Sequence, residues 1–228
     1  MIVHLLAFAT VADLLGHSRV KVELPEGSRI EDLAAKLQDQ QPQLRALWSR
    51  LAIAVDGELV GPDEELKDGV EVALLPPVSG GCGKSSVAGR VWLAKEALNA
   101  ERVVEAVADP GRGAVLVFEG RVRDHHRGEN VKSLFYEAYE PMARLRLERI
   151  VAELEAADES VRVAIAHRQG LVAAGETSVV IAVASAHRGA AYEASRQALE
   201  RLKTEVPIWK RENFGDGRTA WREEEALA

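Results

Sequence analysis

Four short stretches of this sequence concentrate side chains that bind anions or move protons. Phe118-Glu119-Gly120-Arg121-Val122-Arg123-Asp124-His125-His126 reads as a strand end running into a loop. The two-residue period of a strand would put Arg121 and Arg123 on one face, and arginine's planar donor fork suits phosphate or carboxylate. Ser185-Ala186-His187-Arg188-Gly189 lies where an apolar run, Val179–Ala184, passes into a helical pattern. Amides at a helix N-terminus favour anions, and His187 and Arg188 would add donors there. Leu202-Lys203-Thr204 and Pro207-Ile208-Trp209-Lys210-Arg211-Glu212 each set a lysine beside apolar residues, where desolvation or a nearby cation can free an amine for acid–base or covalent work. Each stretch also has a plainer reading: a solvated charged loop, a polar cap, a lysine that complements a helix dipole. Together they concentrate groups suited to an anionic substrate.

A fifth feature is chemical by virtue of having no side chain. Leu74-Leu75-Pro76-Pro77-Val78-Ser79 leads into Gly80-Gly81. A glycine pair lacks Cβ, so it can thread a narrow tunnel and present its carboxyl group to another active site; alone it reads more readily as a flexible linker, and the proline-stiffened tail and the strand-rich module before it favour the carrier reading. The next residues imitate a phosphate-binding loop, because Gly83-Lys84-Ser85 matches the end of G-x-x-x-x-G-K-[ST]. The glycine that should open that motif is Val78, β-branched and preceded by proline. No long amphipathic helix follows, so the nucleotide reading is set aside.

The elements that must position these groups fall into two series. Residues 2–9 read as a buried strand, 11–15 as a short turn of helix, and Arg19–Leu24 as an alternating strand. Pro25-Glu26-Gly27 forms a turn, and Ser28 is expected to cap a helix carrying Ile30, Leu33, Ala34 and Leu37, with Glu31 three residues after the cap. Leu51–Val55 ends in the hairpin signal Asp56-Gly57, and Val70–Leu75 is a last strand. This order is that of a β-grasp. Residues 82–89 read as a linker. The second series has strands at Val91–Leu93, Ala114–Phe118, Val131–Tyr139, 161–167 and 178–185, with a short strand carrying Trp209-Lys210-Arg211. Its helices are expected from the Asn99 cap through Ala108, from Pro141 to about Glu155, and from about Gly189 to Glu205. The expected organisation is therefore α+β, with a carrier-like domain at 1–81, a linker at 82–89 and a second domain at 90–228.

Composition narrows the function classes. Residues 1–81 hold 7 Lys/Arg and 13 Asp/Glu, whereas the remainder holds 22 and 23, with four of the six histidines. An acidic module beside a nearly neutral one with basic clusters suggests parts that attract each other. Nucleic acid is disfavoured as a partner, since phosphate backbones want a broad basic face. No apolar run approaches the length of a bilayer span, and the N-terminus does not read as a signal peptide. With Cys82 the sole cysteine, no internal disulfide can form, and a reducing cytoplasm is the expected compartment.

The first 81 residues resemble the small, sulfur-carrying subunit of molybdopterin synthase, whose family ends in a Pro-Pro-Val-x-Gly-Gly tail. Residues 90–214 resemble the large subunit of the same enzyme. The segments that carry this likeness are Gly113–His125, Tyr136-Glu137-Ala138-Tyr139, Ala186-His187-Arg188 and Leu202-Lys203 through Pro207–Glu212. Residues Gly215–Ala228 match poorly, and no functional role is transferred to them. The resemblance implies a ubiquitin-like β-grasp joined to an α/β hammerhead-type catalytic domain. It implies molybdenum cofactor biosynthesis: a thiocarboxylate on Gly81 gives sulfur twice to cyclic pyranopterin monophosphate, forming the dithiolene of molybdopterin. On this basis Phe118, Arg123, His187 and Arg188 would line the substrate pocket, with His125 a weaker member, and Lys203 and Lys210 would be catalytic.

The resemblance further implies an E1-like adenylyltransferase that activates Gly81, a homodimer through the second domain, and no permanently bound cofactor or metal. Because Gly81 is joined to Cys82, cleavage between them is expected. The competing class is a ubiquitin-like sulfur donor with the second domain as adaptor. The rejected nucleotide reading has its own test. Direct titration with ATP should show no binding that Lys84→Ala removes; loss of binding in that variant would restore the phosphate loop.

Overall fold

Hydrophobic spacing sets the first series of elements: β1 (Ile2–Ala7), α1 (Ala9–Leu15), β2 (Arg19–Glu23), α2 (Ile30–Gln40), α3 (Leu44–Trp48), β3 (Ala52–Val55), β4 (Glu58–Leu59) and β5 (Glu71–Leu75). They belong to one of two compact units in the computed structural model, Met1–Cys82 and Gly83–Ala228; the structure describes residues 1–76 and 89–222. The strands form one sheet in the order β2-β1-β5-β3-β4, with β1 and β5 parallel at its centre. Leu5, Val72 and Leu74 of the two central strands and Ile30, Leu33 and Leu37 of α2 share one core. This is a β-grasp. Asp56 and Gly57 both take positive φ, 48° and 86°, as a two-residue hairpin turn requires.

One expectation about this unit is corrected. Ser28 does not cap α2; the cap position is Arg29, whose backbone N–H donates to the Asp32 carboxylate at 2.8 Å. The chain stays extended one residue longer because Ser28 accepts a hydrogen bond from the Leu66 amide and Arg29 bridges Glu65. Carbonyls of Glu64 and Pro62 then satisfy the amides of Ile30 and Glu31, so a side-chain cap at Ser28 has little left to do.

The second unit contains β6 (Val91–Ala94), α4 (Ala100–Glu105), β7 (Ala114–Arg121), β8 (His125–His126), β9 (Glu129–Ala138), α5 (Glu140–Ala157), β10 (Arg162–Arg168), β11 (Gly170–Ala173), β12 (Thr177–Ser185), α6 (Arg188–Glu205), β13 (Ile208–Phe214) and β14 (Thr219–Arg222). A four-stranded sheet runs β6-β10-β12-β7, and a second sheet runs β11-β9-β13-β14 with β8 paired to β9. β12 is apolar at nearly every position because both of its faces are covered. Val179, Ile181 and Val183 pack with Ala194, Ala198 and Leu202 of α6 and Leu147 and Ile150 of α5. Val180, Ala182 and Ala184 face Val103 and Val107 around α4. Asn99 caps α4 as expected, accepting from the Arg102 amide at 3.0 Å. Arg90 grips Glu155 at 2.6 and 2.9 Å, tying the start of β6 to the end of α5.

The strands differ from their expected lengths in informative ways. β7 runs on to Arg121 but stops before Arg123, so a shared strand face for the two arginines is not found. The ladder ends there because β12 shifts register between Thr177 and Val179, after which Val122 is held by the Glu176 carbonyl and the Gly175 amide. β13 is longer than its Trp209-Lys210-Arg211 kernel because it pairs with β9 on one side and β14 on the other. Ile181 is fully buried. Ile181→Ala should therefore cost about 3–4 kcal/mol in chemical denaturation of the second unit. Leu171→Ala, at a position 61% exposed, should change it by less than about 0.5 kcal/mol.

Candidate functional site

The ladder between β7 and β12 decides which of these residues can meet. Thr177 faces Arg121 at one end, and Ser185 faces Ala114 at the other. Eight residue steps at strand rise separate the ends by roughly 25 Å. His187 and Arg188 follow Ser185, whereas Arg123 follows Arg121. Within one chain the two groups therefore stand at opposite ends of the sheet.

His187 is the N-cap residue of α6 and Arg188 its first residue, both exposed. The cap position is fixed by the Ser185 hydroxyl, which donates to the His187 carbonyl at 2.5 Å. No acidic side chain lies in the first turn, and His187 gives no side-chain cap. The positive end of an eighteen-residue helix thus faces outward with two further cationic or polar groups beside it, suited to an anion.

α6 then packs along β12 and β7 and returns to the far end. There the Tyr139 amide donates to the Pro207 carbonyl at 3.1 Å, and Gln169 at the end of β10 approaches Glu140 at 3.5 Å. Lys203 is exposed in the last turn of the helix, while its neighbour Arg201 is committed to Glu205 and Glu153. Phe118 is half-buried against the main core and faces Ile181. Its ring lies over Gly120, with Cε1 3.5 Å from where a Cβ would stand, and Val179 leaves only 2.6 Å there. Glycine at position 120 is thus what admits the ring. Arg123 is exposed just beyond this end. His125 is also exposed; its Nδ1 lies 2.6 Å from Asp124, and the imidazole holds that carboxyl below its ordinary value.

Lys210 comes to the same end from the second sheet. Its Cα partners are Tyr136 on β9 and Arg222 on β14, so the three side chains stand on one face. Arg222 is drawn to Glu212, two residues along β13, with Nε and Nη2 at 2.6 and 2.5 Å from its carboxylate. His126 Nδ1 approaches the other oxygen of that buried carboxylate to 2.7 Å, which holds β8, with His125 in it and Arg123 just before it, against β13. Tyr136 in turn packs edge-on against His167, centroids 5.1 Å apart. His167 shares its sheet face with Val179, its Cα partner.

Two of these groups, His167 and Glu212, were not singled out from the sequence. The tripeptide Ala-His-Arg occurs twice, at 166–168 and 186–188, and that repeat was the signal for His167. Glu212 offered only a charge within an alternating strand. Gly81 and Cys82 lie outside the described residues. Among the described residues no cluster of three His, Cys, Asp or Glu side chains is arranged to hold a metal.

Comparison with known proteins agrees for both units. A family model described as MoaE protein matches residues 93–205, and one described as ThiS family matches residues 5–81. The chain is 45% identical over 125 residues to molybdopterin synthase catalytic subunit 1 of Mycobacterium tuberculosis, covering 55% of this chain and 85% of that protein. It is 46% identical over 128 residues to the molybdopterin synthase catalytic subunit of Bacillus subtilis, covering 56% and 82%. Among solved structures, molybdopterin synthase from Staphylococcus aureus superposes with a TM-score of 0.58 and 36% identity, covering 60% of this chain and all of that one.

The buried imidazole has a consequence for stability. Burial, helped by the Lys210 charge, pushes His167 from 6.5 down to about 4, against a raising hydrogen bond to the Arg168 carbonyl. The unfolded chain then takes up a proton near pH 6.5 that the folded chain refuses until about pH 4. Stability present above pH 6.5 is lost as pH falls across that window, by about 3 kcal/mol from this group. Denaturation midpoints measured from pH 7.5 to 4 should show a steeper acid loss for the native chain than for His167→Gln; equal slopes would contradict this assignment.

Proposed function

Because the chain belongs to the molybdopterin synthase catalytic-subunit family and carries a ThiS-family unit ahead of that domain, we propose that one polypeptide supplies both the sulfur carrier and the enzyme that consumes its sulfur. The observation that carries this reading is the pairing itself: the carrier match ends at residue 81, on the glycine pair Gly80-Gly81, and the catalytic match begins at residue 93.

In this reading Gly81 is activated by an E1-like adenylyltransferase and converted to a thiocarboxylate. Its tail enters the cationic site and gives sulfur to cyclic pyranopterin monophosphate. In each transfer the thiocarboxylate sulfur displaces an oxygen substituent from a carbon of the pterin side chain, and water then hydrolyses the acyl–sulfur bond, returning Gly81 as a carboxylate and leaving the sulfur on the pterin. Two transfers make the dithiolene. Arg123, His187 and Arg188 hold the phosphate and the charge that develops as the ring opens. Lys203 and Lys210 move protons and receive the departing carboxylate, Phe118 lines the pocket, and His125 lies at its edge. Gly81 can be loaded only after the bond to Cys82 is cut, so processing precedes activity.

The division of cations between two ends of β12 bears on assembly. Roughly 25 Å is too far for one phosphate to span, so the site requires a second copy whose His187 and Arg188 approach the first copy's Arg123, Lys203 and Lys210. An interface on β7 is supported by its position at the end of its sheet and by Val115 and Val117, 50% and 39% exposed on its outer face.

With Gly81 loaded, Lys203→Ala and Arg188→Ala should each lower dithiolene formation by about a hundredfold or more. If the second domain were only an adaptor, both would remain active. Mixing the two inactive variants under conditions that exchange subunits should restore about a quarter of native activity, because half of the dimers would carry one intact site. No recovery would contradict the shared site. Mass spectrometry of active material should find fragments 1–81 and 82–228; full activity in wholly uncut chain would refute the processing step.

A further inference from the structure

Among the described residues His167 is the only buried histidine, and the reactions above make no use of it. It sits at the end of β10, 5% exposed, on the same sheet face as Phe118. Its Nδ1 is 2.7 Å from the Arg168 carbonyl oxygen. A carbonyl only accepts, so Nδ1 carries the hydrogen and donates it. Nε2 is left as an unprotonated acceptor, and the tautomer is fixed by the backbone. Tyr136 buttresses the ring edge-on at an interplanar angle of 80°. Tyr136 is also the cross-strand partner of Lys210.

We infer that His167 is a positioning residue for Lys210: a neutral imidazole of fixed tautomer, braced by Tyr136, that forms the wall along which the lysine side chain is held toward the site. This rests on the role given to Lys210 under the proposed function. The electrostatics are consistent in both directions. A protonated imidazole here would repel the ammonium. Burial keeps the ring neutral at physiological pH by disfavouring its charged form, and the Lys210 charge acts in the same sense. On its opposite flank Lys210 faces Arg222, which Glu212 holds.

The test uses processed protein with Gly81 loaded and measures kcat and KM for dithiolene formation. His167→Leu should lower kcat about tenfold or more with KM within about twofold, as a misplaced catalytic group does. His167→Gln, which keeps a donor and an acceptor, should recover kcat to within about threefold of native. Leucine suits a dry pocket, so thermal midpoints should not follow this order; a merely structural role would make them do so. In a Lys210→Ala background His167→Leu should cause no further loss. Equal losses in both backgrounds, or native kcat in His167→Leu, would overturn the proposal. Native activity in Lys210→Ala would instead remove the role of Lys210, and this inference with it. Should the leucine variant fail to fold, imidazole nitrogen resonances of the uncut native chain provide a second measure. They should report a protonated Nδ1 and a bare Nε2 whose shift moves in Lys210→Ala; an unmoved Nε2 would overturn the assignment.

Discussion

The nine residues of β12 constrain everything else in the second unit. Flanked by β10 and β7 and covered on both faces, this strand has no freedom to slide, because a one-residue slip would exchange its two buried faces. Its length sets the distance between the α6 N-terminus and the end where Lys203, Lys210 and Arg123 collect. The packing requirement thus fixes the separation of the charges before any chemistry is considered. Glycine at position 120 is a smaller instance of the same coupling, since Val179 and Phe118 occupy the space a side chain would need.

Around the lysine end, charge is organised by pairing rather than by exposure. Arg222 is neutralised by Glu212, Arg201 by Glu153 and Glu205, and Arg168 lies near Glu176. His167 contributes no charge at all. Lys203 and Arg123 are exposed at this end. A buried carboxylate such as Glu212 is costly unless it is held on several sides, and the approach of both Arg222 and His126 meets that condition while tethering two neighbouring segments.

Much of this fold was legible from residue types. The Asp56-Gly57 turn, the Asn99 cap and the unbroken apolar run of β12 each follow from local chemistry that tertiary structure did not override. The failures have equally local causes. Ser28 has the right side chain for a cap, yet strand-like contacts with Leu66 and Glu65 displaced the helix start by one residue. α3, β11 and β14 are four or five residues long, too short to establish a period. At the site, the residue types pointed to anion binding, and four segments were recognised as belonging together. Their division between two ends could not be read without the register of β7 on β12. His167 escaped notice because a histidine within an apolar strand gives no outward sign of what it faces.

Under the proposed function, a carrier tail and a catalytic surface encoded in one chain meet as separate partners once Gly81 has a free carboxyl group. The most direct measurement combines fragment 1–81, bearing a thiocarboxylate at Gly81, with fragment 82–228 and cyclic pyranopterin monophosphate, and follows dithiolene formation by trapping. The account predicts two sulfurs incorporated per pterin, with two carrier fragments returned as carboxylates. An unaltered pterin after the thiocarboxylate has been consumed, or dithiolene formed equally well without fragment 82–228, would contradict it.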